Sequence, residues 1–243
     1  MSSLITKTIE PQTGTTVTLG AAGDTVDIAA SQLKTNTVKD AGVNTIFTSN
    51  GSGTLSSVNS GLAGSMVFIS SVDGSGASYI DFTSGIDSTY DEYVFICVNL
   101  NPNTDGGGGW RFQADVSGGT SYAQTMTTTN FTGYHTPTES HASLSWQGAS
   151  TQAQGTAFQW LSEGISGDSD HSGSGILHVF APSSTTYVKQ FYSSFISTSD
   201  WQTAYTRQTV AGYFNTTSAL TNFRFKFNTG TIDTGTVYLY GIS

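Results

Sequence analysis

In NFRFKFN, residues 222 to 228, three phenylalanines (Phe223, Phe225, Phe227) alternate with Arg224 and Lys226. A period of two puts the rings on one face of a strand and the cations on the other. The segment therefore reads as a half-buried β-strand. The same texture recurs from Leu62 onward in SMVFIS, ASYIDF, EYVFICVNL, WRFQADV, ASLSW, GILHVFA, YVKQFYSSFI, AYTRQTVAGYF and GTVYLYGI, each closed by Gly, Ser, Asn or Thr. About ten short strands with polar turns between them predict an all-β fold, an antiparallel β-sandwich that is jelly-roll-like. TAFQWLSEGI, residues 156 to 165, is the best short exception with helical spacing. In GTVYLYGI, Val237 and Leu239 take one face and Tyr238 and Tyr240 the other. A strand apolar on both faces fits cover from both sides, as a contact between subunits would provide.

Residues 1 to 61 differ, with Phe47 their only aromatic. In GTTVTLGAAGDTVDI, residues 14 to 28, Val17 and Leu19 alternate with polar residues, and Val26 and Ile28 repeat that register nine residues later. A four-residue strand is only about 13 Å long, and two rungs are fewer than the three or so that a solenoid needs. We expect a thin N-terminal β-repeat segment over 1–61, completed by trimerisation, and a C-terminal β-sandwich head over 62–243. A threefold axis lets weak strands pair or pack into a core that none makes alone. The alternative is a flexible N-terminal linker.

Charged residues make up 10% of the chain, against about 25% in ordinary globular proteins. Ser and Thr number 72 and Gly 28, yet 12% aromatics in alternating runs argue against disorder. A net charge of −9, with the eight basic residues scattered along the chain, argues against nucleic acid as a partner. No apolar run approaches the roughly 18 residues of a membrane span, so no membrane insertion is expected. MSSLITKTIE lacks the apolar core of a signal peptide. The reading is a soluble protein not exported by the general secretory route. The single Cys97, inside YVFICVNL, reads as a buried inert thiol, and one cysteine excludes a disulfide within the chain.

The densest candidate chemistry lies in SEGISGDSDHSGSG, residues 162 to 175. Gly167-Asp168-Ser169 matches the opening of a lipase and esterase signature, and Asp168 with His171 has the acid–histidine spacing of that family. The two motifs overlap, whereas a working site draws the Ser and the Asp–His pair from separate segments. Asp168, Asp170 and Ser172 before Gly173 read as half a calcium loop, but Val179 stands where the bidentate Glu belongs. A polysaccharide depolymerase needs two carboxylates about 5 to 10 Å apart; Glu163, Asp168 and Asp170 are the close cluster. His135 and His141, in YHTPTESH, lack the spacing of a zinc pair, although a threefold axis could gather three copies of one His. Gly106 to Gly109 open into WRFQADV, a strand rather than a helix, so they read as a flexible loop tip rather than a phosphate loop. Trp146, Trp160, Trp201 and the tyrosines could stack on sugars, with burial as the default. No catalytic, cofactor-binding or metal residue is assigned.

ITKTIEPQTGTTVTLGAAGDTV, FTSGIDSTYDEYVFICVNLNP and GTIDTGTVYLYGIS resemble virion structural proteins of tailed bacteriophages, especially fibre-like appendage proteins of marine and cyanobacterial phages. The resemblance implies a homotrimer made in the bacterial host cytoplasm and carried on the virion. Its N-terminal segment would attach to other virion proteins of the tail or capsid, and its β-rich head would meet the host surface, where a glycan is a candidate partner. The alternatives are a capsid decoration or cement protein and, more remotely, a host-polysaccharide depolymerase.

Overall fold

The structure is a computed structural model that describes residues 35–40, 42–52, 55–58, 65–105, 108–201 and 203–242. The two rungs between residues 14 and 28 lie outside the described residues. The chain divides into two compact units, Met1–Asn59 and Ser60–Ser243.

In the first unit, β1 (Thr37–Lys39), β2 (Thr45–Ser49) and β3 (Leu55–Val58) form an antiparallel sheet in that order. Asp40 closes the first turn, its carboxylate accepting the Asn44 N–H at 2.8 Å and Asn44 Nδ2 at 3.1 Å. Phe47 lies between Val38 and Val58, its register partners on the two neighbouring strands. Val38, Thr45–Ser49 and Val58 are half-buried, and the other residues of this unit whose burial is described are exposed. A sheet this thin, with one ring, leaves its apolar side chains half open.

The second unit is an antiparallel β-sandwich with unequal sheets. The large sheet holds β4 (Met66–Asp73), β6 (Glu92–Pro102), β8 (Met126–His135), β9 (Ala142–Trp146), β10 (Ala153–Gly155), β12 (Gly173–Phe180), β13 (Lys189–Thr198), β14 (Tyr205–Phe214) and β16 (Ile232–Ile242). Its order is β10-β8-β14-β13-β12-β6-β16-β4, with β9 also pairing β8. The small sheet holds β5 (Ile80–Phe82), β7 (Trp110–Asp115), β11 (Gln159–Ser162) and β15 (Asn222–Phe227), in the order β11-β7-β15-β5.

The alternations place the core. Phe223, Phe225 and Phe227 of β15 point inward with Trp110 and Phe112 of β7, and meet Phe95, Phe191 and Phe214 from the large sheet. Phe95 packs against Phe225, Phe223 and Phe82 with ring centroids 5.0, 5.2 and 5.3 Å apart, and Phe112 meets Phe191 at 5.0 Å. Such pairs add about 0.5–1.5 kcal/mol each beyond burial. Val237 and Leu239 of β16 are buried in this core, while Tyr238 and Tyr240 stand half-buried on the other side.

Two expectations are corrected here. TAFQWLSEGI is no helix: its Gln159–Ser162 is strand β11, held by pairing with β7, and the nearest helical turn among the described residues is the 3-10 turn Gly148–Ser150. Gly108 and Gly109 are no loop tip. Both are buried, a Cβ on Gly108 would strike the Ile165 carbonyl, and one on Gly109 would fall within the Trp160 ring.

Candidate functional site

Strands β6 and β12 carry apolar side chains on both faces. Tyr93, Phe95 and Cys97 of β6 and Leu177 and Val179 of β12 enter the core, so Val94, Ile96, Ile176, His178 and Phe180 must project from the opposite side. Register then assembles rows across the large sheet. One runs Phe68, Tyr240, Val94, His178, Tyr192, Ala211, Thr129; the next runs Ser71, Tyr238, Ile96, Ile176, Ser194, Thr209, Phe131, Trp146. A third row carries Ile196 and Leu144.

Much of this face is open among the described residues of the second unit. Leu144 is 79% exposed, Trp146 63% and Phe68 56%, and Ile176, Ile196 and Tyr192 are exposed as well. Val94 alone is fully buried, between its register partners Tyr240 and His178. The rings are already ordered: His178 lies flat on Tyr192 at 4.4 Å and 9°, Phe180 stacks on Tyr192 at 5.9 Å, and Tyr240 meets Phe68 edge-on at 5.6 Å. Charge is sparse. Glu92 pairs with His178, and Arg207 stands in the third row. A hollow of about 590 Å³ opens where Ala211 and Gly212 sit among Phe180, Tyr192 and Tyr213. With strands about 4.8 Å apart and rows about 7 Å apart, three rows over eight strand positions cover roughly 700 Å², close to the roughly 800 Å² per partner of a stable interface. Ser71, Ser194, Thr209, Thr129 and Arg207 lie within that footprint, so its apolar part is smaller, but a contiguous exposed apolar patch of a few hundred Å² marks an interaction surface.

The residues singled out in the sequence scatter. His171 faces Asp168 at 3.4 Å and Asp170 at 3.9 Å, its Nδ1 buried without a hydrogen bond, and Ser169 makes no hydrogen bond to it. The loop winds round the Asn101 amide, which donates to the carbonyls of His171 (2.7 Å), Asp168 (2.9 Å) and Ser166 (3.4 Å). Those carbonyls are therefore spent on an amide, the Asp168 and Asp170 carboxylates are exposed, and no cluster of three metal-ligating side chains occurs among the described residues. Glu163 stands apart beside Arg111, its carboxyl pushed up by burial against the pull of that cation. His135 is opposite Ala142, so His141, one residue earlier, faces the other side and packs on Trp201. Trp146 lies on the open face, Trp160 under Arg111, and Trp201 against Tyr134; the buried core tryptophan is Trp110. Cys97 is buried, and desolvation pushes its thiol up to about 12.

The open face was legible in part. The doubly apolar pattern noted for GTVYLYGI occurs equally in YVFICVNL and GILHVFA. Phe131 and Trp146 join it only through register. Comparison with known protein families, curated proteins and solved structures finds no match for this chain.

Proposed function

We propose that the chain is a non-enzymatic structural protein of a tailed-bacteriophage particle, a homotrimeric fibre-like appendage whose C-terminal head meets the host surface. The phage origin rests on the resemblance of its end and central segments to such proteins. The observation that carries the assembly is the open apolar face of the large sheet. Its occupant is a second copy of this chain: the face spans roughly 700 Å², which a ring shares between two neighbours, and few charges interrupt it. The two ends of the face differ, Phe68 at one edge and Leu144 and Trp146 at the other, so contact between unlike ends is head-to-tail, and a rotation of about 120° between neighbours closes it as a ring of three. Residues 1–61 then serve attachment to other virion proteins.

Light scattering on the purified chain is expected to give a mass near three times 25.6 kDa. Ile176→Asp should convert it to monomer with an unchanged circular dichroism spectrum, since the side chain is exposed in a single copy. A wild-type monomer or dimer overturns the trimer. Immunogold labelling of virions should mark tails; label spread over the capsid would instead assign a decoration protein.

A further inference from the structure

Three of the chain's eight basic residues come together on the outer face of the small sheet, each against an aromatic ring. The Arg224 guanidinium lies between Tyr79, 3.8 Å from its ring centroid, and Tyr122, at 4.1 Å. Arg111 lies 3.4 Å over Trp160, and Lys226 Nζ 5.0 Å over Phe158. Arg224 is complete, because its Nε and Nη2 fork onto Asp81 at 2.7 and 2.6 Å.

The neighbouring pair is not. Lys226 of β15 and Arg111 of β7 are direct register partners, and like charges directly opposite each other destabilise a sheet. Among the described residues neither forms an ion pair, and Arg111 Nε is shut off from solvent with no acceptor. Of the acids around them, Asp81 is held by Arg224, and Asp115 by three backbone N–H groups and Gln124 Nε2. Glu163 attracts Arg111 without bonding to it. A ring beneath a cation orients it but leaves its charge in place.

We infer that Arg111 and Lys226 form an anion-binding site, and that its ligand is an acidic polysaccharide whose carboxylate sits between the ammonium and the guanidinium. Such a group relieves the like-charge repulsion and accepts charge-assisted hydrogen bonds from the Lys226 ammonium and the Arg111 Nη groups. The net charge of −9 repels polyanions elsewhere, which confines them to this face. The polysaccharide as source rests on the reading of the chain as a surface-binding appendage; the anion site does not. The site and the apolar face lie on opposite sides of the sandwich, so copies can pack through one while the other stays open.

Calorimetric titration of the full chain with polygalacturonate oligomers, neutral dextran oligomers and inorganic phosphate tests this. Polygalacturonate should bind and raise the melting temperature, and dextran should do neither. Lys226→Gln should weaken binding about tenfold or more, and Lys226→Arg should restore it. Lys39→Gln, an equal loss of charge in the first unit, should leave binding unchanged. Equal binding by wild type and Lys226→Gln, or equal losses from Lys226→Gln and Lys39→Gln, overturns the site. Phosphate binding that depends on Lys226, without polygalacturonate binding, keeps the anion site and overturns the polysaccharide. A monomer that still binds through Lys226 refutes the trimer alone, and a trimer that does not bind refutes the site alone.

Discussion

Gly108 has no room for a side chain, because a Cβ would strike the Ile165 carbonyl, a backbone atom whose own N–H bonds back to Gly108 O at 2.9 Å. Gly108→Ala should therefore cost about 1–3 kcal/mol, read as a lowered urea midpoint with an unchanged slope. Asp115 is the second residue on which local structure hangs. Burial alone would push its carboxyl up, but the N–H groups of Tyr122, Val116 and Ser121 and the Gln124 amide hold it below 3.8, its ordinary value. A depressed folded pKa means that the native state binds fewer protons than the unfolded chain. The stabilisation is thus present in full above about pH 4 and is lost as pH falls through the folded value. The melting temperature should drop below pH 4, and Asp115→Asn should flatten that drop while lowering stability at pH 7.

At the scale of elements, β6 carries the most weight, with the core on one side, the open face on the other, and β12 and β16 paired along its edges. Phe95, fully buried against Phe82, Phe223 and Phe225, ties it to the small sheet. Phe95→Ala should cost about 3–5 kcal/mol in chemical denaturation. Ile96→Ala, one residue on and on the open face, should cost the isolated copy far less, because that side chain gains little burial there. Strand β8 was hidden in the sequence, since MTTTNFTGYH turns Asn130 and Thr132 inward, where their burial between the sheets breaks the apolar alternation. Strand β11 was disguised by helical spacing, which register with β7 overrode.

For the molecule as a whole, the large core lies entirely within Ser60–Ser243. A fragment of residues 60–243 should fold alone, with a melting temperature within a few degrees of the full chain; a fragment lacking a cooperative transition would show that the first unit completes the core. If apolar burial joins the copies, their association should survive 1 M NaCl, which shortens the Debye length to about 3 Å, and should yield to urea. Dissociation by salt alone would assign the contact to charge.

What the sequence by itself determined is which side of each well-patterned strand is buried. NFRFKFN placed its rings on the buried side because alternation is a property of the strand alone, whereas GTVYLYGI, apolar on both sides, separated its two faces without telling which one enters the core. What only the tertiary structure decided is which distant residues share a face. Arg111, Arg224 and Lys226 look scattered along the chain, yet pairing of β7 with β15 sets them side by side, and β8 with β9 brings Phe131 to Trp146. The Gly167–His171 stretch goes the other way: its acids and imidazole are close in sequence, but Asn101 draws their backbone carbonyls inward and leaves no bond from Ser169 to His171. Strand register is fixed by contacts between segments far apart in the chain, and periodicity within one segment carries no information about them.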